Sequence, residues 1–360
     1  MSVTEQPGEA CAPRPGEELD AAAVADYLAR ELPGFEGPVE IRQFPGGASN
    51  LTYLLRAAGH EWVLRRPPPG TKARSAHDMG REYRILSRIN EAFPYAPRPV
   101  LFCADRAVLG DEFYLMERMQ GLILRRDLPE GMTLAPEEAA ALCRNLVEVH
   151  AELHAVDFEA AGLGELGRPE GYVERQVRGW SERYRAARTE DVPDNEALMD
   201  WLEANRPAEA MRAALIHNDY KFDNVVLSRN DGQWRISAVL DWEMATLGDP
   251  LMDLGASLAY WIQADDPVPL QQVRMLPTHL PGMMRRAEVV DYYGSISGLP
   301  LQRFDFYYVY GLFRLAVIVQ QIYYRYVLGQ TRNPRFAGFG GICTVLSHTA
   351  AEVAGGRTPF

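Results

Sequence analysis

Cysteine is scarce and scattered in this sequence: Cys11, Cys103, Cys143 and Cys343 form no C-x-x-C pair. That pattern excludes a disulfide scaffold and fits unpaired thiols in a reducing cytoplasm. Basic charge is also short. With 37 Lys and Arg against 49 Asp and Glu, the formal net charge of −12 argues against a nucleic-acid partner, which needs a basic face. Residues 1–18 are rich in Pro, Gly and Glu and have no apolar h-region, so they read as a disordered tail rather than a signal peptide. No membrane partner is implied. The most apolar stretch, FYYVYGLFRLAVIVQQIYYRYVL (306–328), is interrupted by Arg314, Gln320, Gln321 and Arg325, and reads as a buried aromatic helix. No G-x-S-x-G elbow is present, which leaves nucleophilic hydrolase chemistry with little support. The HAELH segment has Ala151 where a zinc-protease helix needs Glu. With no evident third ligand, His150 and His154 read as core or capping residues.

What is present is ordinary in composition and long enough for two lobes: 360 residues, 47% hydrophobic and 24% charged. A short helix over 20–31 precedes three strand-like segments, VEIRQFP, NLTYLLRA and EWVLRR, which read as an antiparallel meander closed by PPPG at 67–70. Met79, Tyr83, Leu86, Ile89 and Phe93 recur at helical spacing, and PVLFCA and EFYLMERM supply two more strands. Beyond Gly121 the pattern turns helical, with a long amphipathic segment over 135–156 and others near 168–189, 194–205 and 250 onward. The expected class is α+β and bilobal: a small antiparallel-sheet lobe over 19–118 and a larger, mostly helical lobe over 119–360.

One segment does not fit ordinary core. LIHNDYKFDNVVL (215–227) crowds His217, Asp219, Asp223, Asn218 and Asn224 against a buried strand, where unpaired polar groups are costly. A second strand, ISAVL, then ends at Asp241. Paired strands would set Asn224, just before the first, beside Asp241, just after the second. Their side-chain oxygens suit a hard cation such as Mg²⁺, while Asp219 could accept the proton of an attacking hydroxyl. Any one of these residues alone is more often a turn or capping residue. The ordered set is the one phosphoryl transfer uses.

HNDYKFDNVVL and VLDWEMATLGDPLMDL resemble the aminoglycoside phosphotransferase and choline kinase-like family, and most nearly the phosphotransferase-like domain fused to some acyl-CoA dehydrogenases. The resemblance covers roughly 38–330. It implies a protein-kinase-like fold and an ATP- and Mg²⁺-dependent transfer of the terminal phosphate to a hydroxyl of a small molecule. By position it makes Asp219 the catalytic base and Asn224 and Asp241 the metal ligands. His217 braces the loop, and Asp249 and Asp253 are structural. Asn218 stands where the family usually has Gly.

The same resemblance locates a nucleotide cradle. Within FPGGASNLTYLL, Ser49 and Asn50 are the side chains best placed to reach phosphate. Arg65, where the family usually has Lys, would steady the α- and β-phosphates, held by Glu82. Glu117 and Met119 would offer backbone groups to the adenine edge, with Met116 behind the ring. Tyr172, Trp180, Tyr184 and Trp201 read either as helix core or as an aromatic acceptor pocket. Arg65 and Asn218 also leave open a second reading, a nucleotide-binding protein with no transfer activity. The acceptor stays open among aminoglycosides, choline-like amines, sugars, amino alcohols and hydroxyacyl thioesters.

Overall fold

The structure is a computed structural model and describes residues 10–45, 50–68, 78–208 and 210–358. Contacts divide the chain into two compact bodies. One runs up to Ile123 and includes Ser237–Glu243; the other comprises Leu124–Ile236 and Met244 onward.

The first body opens with helix α1 (Ala21–Glu31), started by Asp20, whose carboxylate accepts the Ala22 and Ala23 N–H groups. Strands β1 (Glu40–Gln43), β2 (Leu51–Ala57) and β3 (His60–Arg66) form the expected meander. Helix α2 (Met79–Ile89), capped by Asp78, follows. Then come β4 (Pro99–Cys103), a single turn α3 (Arg106–Leu109) and β5 (Phe113–Glu117). The sheet order is β1-β2-β3-β5-β4, antiparallel throughout. Alternation along the strands sorts the two faces. Tyr53, Leu55, Leu64, Phe113 and Leu115 join Val24 and Leu28 of α1 in one core. Arg65 and Tyr114, one residue out of step with these and opposite each other in register, point to the other face.

Two expectations are corrected here. The disordered tail expected over 1–18 does not hold for its described part. Cys11 and Gln43 exchange backbone hydrogen bonds at 2.8 Å, and the Tyr53 hydroxyl donates to the Glu17 carbonyl at 2.7 Å. Residues 10–18 thereby pair with the outer edge of β1 at its Gln43 end. The division expected at 118/119 falls after Ile123, and Ser237–Glu243 counts with the first body. The reason is local: the Val239 N–H donates to the Tyr95 carbonyl at 2.8 Å, and the Trp242 ring meets Phe93 edge-on at 5.9 Å.

The second body is helical around two small strand pairs. Helices α4 (Pro136–Ala155), α5 (Tyr172–Ala187) and α6 (Glu196–Asn205) lead to β6 (Ala214–Ile216). Next come the hairpin strands β7 (Val225–Asn230) and β8 (Gln233–Val239), the last three residues of which count with the first body, then β9 (Thr246–Gly248), which pairs antiparallel with β6. Helices α7 (Pro250–Leu258), α8 (Val268–Gln272), α9 (Arg286–Ser297), α10 (Phe304–Val327) and α11 (Phe339–Ala354) complete it. The aromatic stretch forms α10, buried through most of its length against α5, α7 and α11. No helix among the described residues is long and apolar enough to cross a membrane.

The α7–α10 crossing rests on two glycines. A Cβ on Gly311 would collide with the Gly255 carbonyl, and a Cβ on Gly255 with the Tyr307 carbonyl. These are backbone atoms, which cannot swing aside. Gly311→Ala is therefore expected to lower stability by about 1–3 kcal/mol, the usual cost of overpacking. Urea unfolding checks this, and an unchanged midpoint would refute the close-approach argument.

Candidate functional site

In the first body the site is built around a buried arginine. Arg65 projects from β3 and is 7% exposed. Its Nη2 lies 2.8 Å from Asp241 Oδ1 and 3.6 Å from Glu243 Oε2, and its Nη1 lies 3.4 Å from Glu82 Oε1 of α2. Asn50, on the opposite edge of the cluster, donates from Nδ2 to Glu243 Oε2 at 2.8 Å. One guanidinium thus faces three carboxylates. Burial alone would depress the Arg65 pKa, but Glu82 and Asp241 hold it well above its ordinary value. Glu82 is pushed up by burial first, against the pull of Arg65, with the charge of Asp241 adding to the rise. Carboxylates outnumber the local cation, and the donor atoms are hard oxygens. The three acids do not converge closely enough to form a three-carboxylate metal cluster by themselves. Asp241 itself sits at φ +67°, in the left-handed region that non-glycine residues seldom enter.

In the second body the loop after β6 carries Asp219. Asn224 donates through Nδ2 to both the Asp219 carbonyl (2.9 Å) and Asp219 Oδ2 (2.8 Å), so its Oδ1 is not used in this pairing. Lys221 pairs with the same Asp219 oxygen and lies 3.4 Å from Asp223 Oδ1. Burial would lower the Lys221 pKa, but the Asp219 charge more than reverses this, so the amine is a fixed cation. Asn218 sits at φ +66°, the conformation a glycine would supply, and its amide donates to the Met244 carbonyl at 3.0 Å. His217 is fully buried, and its Nδ1 accepts the Asp219 N–H at 3.3 Å, the bracing role expected of it.

Behind the loop stands Asp253 of α7. Its Oδ2 accepts the His217 N–H at 2.8 Å and its Oδ1 the Asn218 N–H at 2.7 Å. His150 and His154 of α4 each place Nε2 3.1 Å from Oδ2. Sequence reading found no third partner for the two histidines. Asp253, about a hundred residues on, is that partner, and its four hydrogen bonds anchor the loop. Asp249 caps α7 by accepting from Leu251 at 2.8 Å, and burial raises its pKa to about 6.

The profile of the Phosphotransferase enzyme family matches residues 40–287. The chain belongs to that family. Human acyl-CoA dehydrogenase family member 11 is 33% identical over 348 residues, which cover 94% of this chain and 44% of that protein. The chain thus spans less than half the length of that relative. An aminoglycoside phosphotransferase-type structure from Ralstonia eutropha shares 30% identity at a TM-score of 0.78, covering 94% of this chain and 99% of that one. Aminoglycoside phosphotransferase APH(4)-Ia, solved with AMP-PNP and hygromycin B, shares 18% identity at a TM-score of 0.57, covering 94% and 100%. That likeness concerns the fold alone. The fold is the kinase-like one of the family's small-molecule phosphotransferases.

Within this chain, Asn50, Arg65, Glu82 and Asp241 come together in the first body, and Asp219 and Asn224 in the second. Ser49 lies outside the described residues. Met116 is buried in β5. The Glu117 N–H is already committed to the Arg98 carbonyl at 2.9 Å, so a backbone donor to a base edge falls to Met119. Of the four aromatic candidates, Tyr184 is core, with its hydroxyl on the Pro193 carbonyl at 2.6 Å, and Trp201 stacks on Phe306. Tyr172 reaches Asn218 Oδ1 at 3.4 Å, and Trp180 lies under two arginines. Sequence reading missed Glu243 and Lys221. Both lie inside the motifs, and only their type, a charge where neighbours are apolar, marked them.

The brace makes stability depend on pH. Burial, then the charge of His150, pushes His154 down to about 4, against the hydrogen bond to Asp253. Below an unfolded value of about 6.5 the unfolded chain binds a proton that the native chain refuses, so stability falls as pH drops. Asp253 is held well below its ordinary value: burial alone would raise it, and the two histidine hydrogen bonds outweigh burial. Its own contribution is therefore lost only below that window. A drop of roughly 3 kcal/mol between pH 6.5 and 4 is expected, about 1.4 per unit of depression. His154→Gln should flatten that slope in pH-dependent urea unfolding, and an unaltered slope would count against the assignment.

Proposed function

We propose that the chain transfers the terminal phosphate of ATP to a hydroxyl of a small molecule, with Asp219 as base. Mg²⁺ held by Asn224 and Asp241 would supply charge neutralisation on the phosphates. The supporting observation is the fixed geometry of the loop. Asp219 Oδ2 is oriented by Asn224 Nδ2 at 2.8 Å and by Lys221, and the backbone beneath it hangs on Asp253. Asp219 orients the acceptor hydroxyl and takes its proton. The hydroxyl oxygen bonds to the γ-phosphorus as the bond to the β,γ-bridging oxygen breaks, and ADP leaves with that electron pair. Arg65 steadies the α- and β-phosphates while Glu82 holds its far side. Asn50 borders the phosphate side, and Met116, Glu117 and Met119 the base; Ser49, expected beside Asn50, lies outside the described residues. Positioning and electrostatics carry most of the rate in such a site. A cytoplasmic placement fits the four free cysteines.

Asp219→Ala and Asp241→Ala are each expected to cut phosphate transfer by at least about 10³-fold while the fold survives, in keeping with a catalysis that rests on those carboxylates. Coupled ADP release over a panel of hydroxylated metabolites, with circular dichroism as the control, measures this. Turnover unchanged in either variant would remove that residue from the mechanism. A thermal shift with MgATP but no consumption with any acceptor would favour the binding-only reading.

A further inference from the structure

The aromatic stretch of α10 carries a charge that neither the fold nor the proposed transfer uses. Arg314 is 2% exposed. Two other buried arginines meet acids: Arg65 faces three carboxylates, and Arg286 grips both oxygens of Asp266 at 2.6 Å. Among the described residues no carboxylate lies within ion-pair distance of Arg314. Its Nη2 reaches only Met244 Sδ, at 3.6 Å, and its guanidinium lies 5.2 Å from the Trp180 ring centre. Trp180 already carries a second cation, Arg183, at 4.4 Å. A buried guanidinium supported by a ring and a thioether is costly unless something else supplies the counter-charge.

Its surroundings lead back to the base. Met244, which Arg314 touches, accepts from Asn218 through its carbonyl at 3.0 Å, and Asn218 precedes Asp219. Tyr172, whose hydroxyl meets Asn218, and Tyr260, whose ring lies 5.0 Å from Lys221 Nζ, both feel the Arg314 charge. Tyr260 feels Asp219 as well. Met244 is an exposed large apolar side chain, so the cluster is open on that side. We propose that Arg314 binds an oxyanion, a carboxylate or a phosphate group, carried by the acceptor. The substrate is then a hydroxylated acid rather than an amine or a neutral sugar. The inference rests on Asp219 being the base.

The test separates the two readings by measuring binding without ATP. Tryptophan fluorescence is titrated at constant ionic strength with 3-hydroxybutyrate, glycerol 3-phosphate, methyl 3-hydroxybutyrate and ethanolamine. The intact protein is expected to bind at least one oxyanion and neither control, and the preferred probe identifies carboxylate or phosphate. Arg314→Gln should weaken that binding roughly 10- to 100-fold, the range of a charged hydrogen-bond pair, and Arg314→Lys should recover part of it. If Gln is poorly folded, Arg314→Met keeps the volume and removes the buried charge, and the same loss is expected. Absence of oxyanion binding in the intact protein, equal binding of the ester, or undiminished binding in Gln and Met overturns the proposal. Asp219→Asn should keep oxyanion binding and lose transfer. Transfer that survives this change removes Asp219 as the base, and with it the assignment of the anion to the acceptor, while oxyanion binding at Arg314 is decided by the titration alone.

Discussion

The loop that carries Asp219 has almost no regular structure of its own, so something outside it must fix its shape. Asp253 does this from the first turns of α7. A buried carboxylate with four hydrogen bonds is held ionised only because its donors converge: two backbone N–H groups from the loop and two imidazoles from α4. The geometry works in both directions. The carboxylate fixes the loop at His217 and Asn218, and the histidines fix the carboxylate. The left-handed turn at Asn218 follows from this, because its N–H must point at Asp253 while its side chain reaches Met244. Asp219 is then presented outward, and Asn224 and Lys221 set its rotamer.

This brace explains why fold and site were unequally legible. Strand alternation and helical periodicity are local, and they placed all five strands of the sheet and the helix after β3. They also put Arg65 out of step with Leu64, which is why it leaves the core face. The reach of His150 and His154 to Asp253 is not local. Nothing in HAELH names a carboxylate a hundred residues away, so the pair read as isolated. The tail was misread for a related reason. Pro, Gly and Glu predict weak self-association, but residues 10–18 pack because β1 has an open edge, a property of the sheet rather than of the segment. Lys221 and Glu243 escaped notice because a motif directs attention to its repeated letters.

The arginine in place of lysine also becomes intelligible once the carboxylates are counted. A lysine offers one charged point. Arg65 uses a planar fork, with Nη1 toward Glu82 and Nη2 toward Asp241 and Glu243, and so spans acids on two elements at once. Glu243 is the additional acid that such a fork can serve. The substitution is then coupled to the acids around it.

Charge balance ties the two bodies' chemistry together without reference to their arrangement. Around Arg65 the acids exceed the cations, a surplus that the proposed Mg²⁺ would offset. Around Arg314 the cations exceed the acids, and that surplus suits an anion. Folding alone would select against both, since unbalanced buried charge costs stability that hydrophobic isosteres would return. On the two proposals a ligand offsets each imbalance. Their opposite signs match what those proposals require: a metal ion with the nucleotide at one, an acidic acceptor at the other.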